Sequence, residues 1–237
     1  LVTRAAGHHA EVTMITLLAI TAMAADPTHA EILEGAGWKA EAKIDARDVG
    51  NVEVLRKDIG AIPCFQARAK APVAQASLEE IVADVAGHRK WSTSGLTESK
   101  LLGRSDGGAD YYQYLDVPNW TFASDRFWFI HGSMSHDANG AGIWRWKNLK
   151  NGGDYKDVYA QVVANHAGAV EPPVNVGVWW FKADGSGATD VRYYLCTDSG
   201  GALPSSLANA ATRRTLPDTV TDLIREAKKR ALNATAK

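Results

Sequence analysis

The sequence predicts an α+β domain: a curved antiparallel sheet of about nine strands wrapped around one long C-terminal helix. Three observations predict it. Short alternating segments bounded by Gly, Pro, Asn and Asp fill most of the stretch from Trp38 to Thr197. No internal repeat or low-complexity linker divides them. The chain then turns at Gly200-Gly201 and ends in a long amphipathic helix. A terminal helix lying over a curved sheet makes a container.

The elements follow in order. Trp38 to Ala46 and Asn51 to Ile59 read as strands joined at Asp48-Val49-Gly50, with Val52 and Val54 on one face and Glu53, Leu55 and Lys57 on the other. Gly60 to Pro63 turns the chain, and Cys64 to Ala71 forms a third strand that Pro72 stops. Ser77-Leu78-Glu79-Glu80 reads as a capping box opening a helix. Its apolar stripe is Leu78, Ile81, Val82 and Val85, and Gly87 ends it. Glu98 to Arg104 and Ala109 to Val117 flank a hairpin turn at Ser105 to Gly108. Ser124 to Ser135 is the next strand. Ile143 to Leu149 pairs by alternation with Tyr155 to Asn165. Val174 to Ala183 and Ala188 to Thr197 flank Asp184-Gly185-Ser186-Gly187.

In the terminal helix, Pro204 sits near the first turn, where a missing N–H is harmless. Pro217 should kink or restart it. Beyond Pro217, Val220, Leu223, Ile224, Ala227 and Ala231 share a stripe. Arg225, Lys228, Lys229 and Arg230 suit the negative end of the helix dipole.

The 237 residues are 46% hydrophobic and 22% charged, with a net charge of −1, which leaves no basic excess for nucleic acid. Eight Trp and seven Tyr could line an apolar cavity or simply pack a sheet. Cys64 and Cys196 both fall in strands; they could pair in an oxidising compartment or stand as two small buried hydrophobes. No cofactor or metal motif is present: the histidines form neither His-x-x-x-His nor His-Glu-x-x-His. Residues 1–31 read as a leader. Met14 to Ala25 is an apolar run too short to span a bilayer. It ends in Ala22-Met23-Ala24, a signal-peptidase-like site, with Thr28-His29-Ala30 a second one. The expected location is periplasmic or extracellular if the leader is cleaved, and cytoplasmic otherwise. Residues 32–237 form the folded domain.

Five segments carry a resemblance: Gly37-Trp38-Lys39, Arg89-Lys90-Trp91, Ser124-Asp125-Arg126-Phe127-Trp128, Gly177-Val178-Trp179-Trp180-Phe181, and Gly201-Ala202-Leu203-Pro204-Ser205-Ser206-Leu207-Ala208-Asn209. In this order the chain resembles the START lipid-transfer domain of the helix-grip superfamily, which includes Bet v 1-like proteins, over roughly Gly37 to Ala231. The resemblance implies a tunnel between sheet and terminal helix that holds one lipid of sterol, phospholipid or fatty acyl class. It also implies a monomer whose terminal helix is the lid and touches membranes transiently. Sterol-binding relatives carry a basic and an acidic residue on adjacent tunnel strands. The basic position aligns with His131 and the acidic one with Tyr112 or Gln113, so neutral groups stand where a charged pair would be.

Alternation along Arg126 to Met134 then puts Phe127, Phe129, His131 and Ser133 on the tunnel wall if His131 faces in. Leu203, Leu207 and Ala211 follow from the lid, and Tyr193 and Leu195 from the last strand. The same fold hosts polyketide cyclases and aromatases, for which His131, Tyr112 and Tyr114 are the candidate acid–base groups. A ligand-free interaction module is the third reading. A lipid carrier without enzymatic activity is the expectation.

Overall fold

The computed structural model describes residues 25–105, 108–117, 123–201 and 204–235. Nine strands form one sheet: β1 Lys39–Ala46, β2 Gly50–Ile59, β3 Ile62–Ala71, β4 Leu96–Ser105, β5 Gly108–Leu115, β6 Arg126–His136, β7 Gly142–Asn148, β8 Val174–Ala183 and β9 Thr189–Asp198. The order is β1-β2-β3-β9-β8-β7-β6-β5-β4, with every neighbouring pair antiparallel. Two meanders therefore meet at the β3–β9 junction. Five helices accompany the sheet: α1 His29–Leu33, α2 Gln75–Ala83, α3 His88–Trp91, α4 Lys156–Asn165 and α5 Ser205–Thr235.

The curved sheet has α2 and α5 on its inner face. There Val54, Phe65, Ala67, Tyr111, Ile130, Trp144, Trp146 and Trp179 pack with Leu78 and Ile81 of α2 and Val220, Leu223 and Ile224 of α5. Burying side chains of this size contributes about 1.5–3 kcal/mol each. The outer face carries two smaller clusters. One, around Ile32 of α1, Val176 and Val178, contains the disulfide Cys64–Cys196. The other packs Tyr112, Tyr114, Phe127 and Phe129 under α4.

Four elements differ from the sequence reading. Residues 155–165 are not a strand; β7 pairs with β8 instead. Tyr155, Val158, Tyr159 and Val162 sit at i, i+3, i+4 and i+7, a helical stripe that turns its rings and methyls onto the sheet. Ser77 is not a cap, because α2 already begins at Gln75. The Gln75 side chain staples this helix to the sheet: its amide donates to Glu79 Oε1 and the Gly140 carbonyl, and its oxygen accepts from Ala183 N. The capping box lies at Thr28 and Glu31 and opens α1. Residues 25–31 therefore belong to the fold, with His29 Nε2 2.9 Å from the Trp146 carbonyl. Finally, α5 runs unbroken through Pro217, which is buried. Just before it, the Thr212 and Thr215 hydroxyls donate back to carbonyls four residues earlier.

Candidate ligand-binding site

The inner face is an aromatic floor. Trp146 stacks on Tyr193 at 5.5 Å between ring centroids, and Tyr193 lies 4.2 Å from Trp179. Two glycines let these rings lie close against the sheet. A Cβ on Gly177 would come within 2.2 Å of the Trp146 ring, and one on Gly132 within 2.4 Å of the Trp144 ring. Burial holds the Tyr111 hydroxyl on this floor in its neutral form.

Helix α5 covers this floor unevenly. From Leu216 to Ala227 it is seated, with Leu216, Val220, Leu223, Ile224 and Ala227 buried. Asp222 fastens this half: its buried carboxylate accepts from Thr93 N and Thr93 Oγ1, both at 2.7 Å. Arg225 grips Asp48 from outside and holds that carboxyl at about 2. The first three turns are more exposed: Leu207 is 58% exposed although Ala208 is buried. A cleft of about 370 Å³ lies along them, lined mostly by polar groups, with Glu41, Arg56, Phe65, Ser206, Asn209, Ala210 and Arg213.

One end of the floor is polar. Ser99, Gln113 and Trp128 face each other across β4, β5 and β6. His88 of α3 reaches the same row. Its Nε2 lies 2.8 Å from the Val82 carbonyl and must donate; its Nδ1 then accepts from Gln113 Nε2 at 3.0 Å. Gln113 Nε2 also donates to Ser99 Oγ, whose own proton goes to the Val85 carbonyl. Trp91 and Tyr111 pack edge-on against the imidazole. Burial pushes His88 down to about 4, so it is neutral at pH 7.

That shift has a measurable sign. The unfolded chain binds a proton at residue 88 near pH 6.5 and the folded chain only near 4. The contribution is complete above the unfolded value and lost as pH falls through this window, up to about 3 kcal/mol. His29 shifts in the same direction, chiefly from burial. Melting curves at pH 7.5 and 5 should therefore diverge less in His88→Gln than in the native chain. An unchanged pH slope would show that residue 88 does not titrate in this way.

The positions of the sequence-predicted residues divide sharply. Gln113, Tyr193 and Leu195 lie on the inner face. Tyr112, Phe127, Phe129 and His131 do not; they face outward. Tyr112 and the phenylalanines are buried under α4. His131 Nδ1 is 2.6 Å from Asp110, whose other oxygen accepts from Tyr155. Helix α4 supplies an apolar cover on the outer side, so an outward aromatic is as well buried as an inward one. Tyr114, also outward, donates to Asp125 and stacks on His166 at 3.9 Å. On α5, Leu207 and Ala211 are exposed; the inward line runs through Ala208 and Leu216. Leu203 lies outside the described residues. Sequence reasoning missed Trp128, Ile130, Trp144 and Trp146, although two inner-face glycines, Gly132 and Gly177, directly oppose Trp146 across the strands.

Comparison with known proteins adds the following. No family model matches the chain. An uncharacterised protein of Pseudomonas aeruginosa is 32% identical over 135 residues, 57% of this chain and 60% of that protein's length. Among solved structures, a STAR-related lipid transfer protein fragment from Xanthomonas axonopodis superposes with a TM-score of 0.66 at 21% identity, covering 81% of this chain and 99% of that one. Human STARD10 superposes with a TM-score of 0.68 at 15% identity, covering 86% and 80%. An aromatase/cyclase from a Streptomyces species follows at 0.51 and 12% identity, covering 72% and 96%.

Proposed function

We propose that this chain, which has the helix-grip fold of START domains, holds a single lipid or similar amphiphile between the inner face and α5 and carries it between membranes or to an enzyme. The observation that carries this reading is the inner face itself: an aromatic, largely apolar floor with a polar row confined to one end. Such a surface removes an acyl or ring skeleton from water at about 25 cal/mol per Å². It leaves a head group something to bond. The seated half of α5 fixes the grip, and the more exposed half along the cleft is the movable lid. Exposed Leu207, on the same α5 segment as Arg213 and Arg214 two turns on, is the part that would meet a membrane.

The outward orientation of His131, Tyr112 and Tyr114 removes the acid–base groups that a cyclase reading would use. Export accompanies the carrier reading. The disulfide suits an oxidising compartment. Cleavage after Ala24 preserves the Thr28 cap and the His29 contact, whereas cleavage after Ala30 would remove both.

Native mass spectrometry of the purified protein is the test. After incubation with phosphatidylcholine vesicles containing a sterol, each chain should carry one lipid-sized adduct that organic extraction releases. A bare mass under gentle conditions, before and after the vesicles, refutes the carrier. Turnover of an aromatic polyketide would move the assignment to an enzyme.

A further inference from the structure

Two donors on the inner face have nothing to bond. The indole nitrogens of Trp91 and Trp128 are both buried, and neither has a hydrogen-bond partner. Trp38, by contrast, donates its indole N–H to the Glu34 carbonyl. Leaving a buried donor unsatisfied carries the full desolvation penalty of that group. Carrying two such donors at one end of the floor is unfavourable unless something supplies acceptors.

The two are placed together. Trp128 is the cross-strand partner of Gln113, and Trp91 packs against His88, to which Gln113 is bonded. Both rings pack against the inner core. Both Gln113 Nε2 hydrogens are already committed, to His88 Nδ1 and Ser99 Oγ. His88 is enclosed and neutral. Arg126, the cation on the same strand as Trp128, gives its guanidinium to the backbone carbonyls of Ser124, Ser199 and Gly200. The polar end therefore offers neutral donors and no free cation among these groups.

Resting on the carrier reading, we propose that the Trp91 and Trp128 indole N–H groups bind an uncharged oxygen acceptor, a carbonyl or hydroxyl, on the guest's head. A carboxylate would accept the same bonds but would be buried without a counter-charge, a strongly unfavourable arrangement. A donor-only ammonium head would satisfy neither indole.

The test compares methyl palmitate, palmitate and hexadecane on the full chain at pH 8, by displacement of a bound environment-sensitive dye. The native protein should bind the ester at least about tenfold more tightly than the alkane, and more tightly than the anion. Trp91→Phe and Trp128→Phe should each reduce the ester-to-alkane ratio about fivefold, leaving alkane binding nearly unchanged. A second measurement needs no variant: two of the eight indole N–H proton resonances should move downfield with the ester and stay with hexadecane. Equal affinity for ester and alkane without an indole shift, or preference for the anion, overturns the proposal while the carrier reading stands. Binding of none of the three probes overturns this proposal, and a bare mass after the vesicle incubation overturns the carrier reading as well.

Discussion

Replacing Cys64 and Cys196 together by alanine should lower stability by about 3–5 kcal/mol. The bond joins directly opposed residues on β3 and β9, 132 positions apart in sequence. Closing a loop of that length restricts the unfolded chain by about 5 kcal/mol in the chain-entropy view. Measured losses for native bridges run at about 2–5 kcal/mol. Both sulfurs belong to fully buried residues in the outer cluster with Val176 and Val178, so the alanines also leave small voids. A chain of this size loses roughly 2–4 °C of Tm per kcal/mol, which gives a drop of at least about 6 °C. Thermal melts of the double variant, and of native protein with and without reductant, measure it. Reductant should change the melt only of the native protein. Identical melts would mean that the two thiols are not joined.

The second large effect belongs to Gly177→Ala. The new methyl would lie 2.2 Å from the Trp146 ring and 2.3 Å from the Tyr194 carbonyl oxygen. The ring could swing away, but the carbonyl belongs to the β8–β9 ladder and cannot move alone. Overpacking of this kind costs about 3 kcal/mol or more, equivalent to roughly 6–12 °C of Tm. Gly35→Ala is the control, since nothing lies within 4 Å of its added methyl. If Gly177→Ala melts like the control, the Trp146 ring does not lie over β8. If it folds but melts early, guest binding should fall too, because Trp146 is stacked on Tyr193.

The strands, the terminal helix and the grip between them were legible because alternation and turn chemistry repeat from β1 to β9. Which side of β6 faces inward was not legible. Its residues 127–131, Phe-Trp-Phe-Ile-His, are bulky on both faces because α4 buries the outer one. A strand covered on both sides loses the polar–apolar contrast that fixes its facing, and an error of one residue exchanges the whole set. The same oversight had two ends: reading α4 as a strand removed the element that would have explained outward phenylalanines. On α5 the misplacement was again a single residue, with Leu207 chosen where Ala208 faces in. Leucine is the more apolar choice, and a more exposed lid does not require it. On β5 the resemblance left the position open between Tyr112 and Gln113, neighbours on opposite faces, and of the two only Gln113 is inward; Tyr193 and Leu195 of β9 are inward as well.

The meeting of β3 with β9 has a consequence for biosynthesis. Strands made first on the ribosome keep one margin open until the ninth is finished, more than a hundred residues later. Closure therefore waits for nearly the whole polypeptide, a long-range step that slows folding and leaves an adhesive edge in the interim. A chaperone that shields the nascent first three strands should raise the yield of native protein more than one acting on the finished chain.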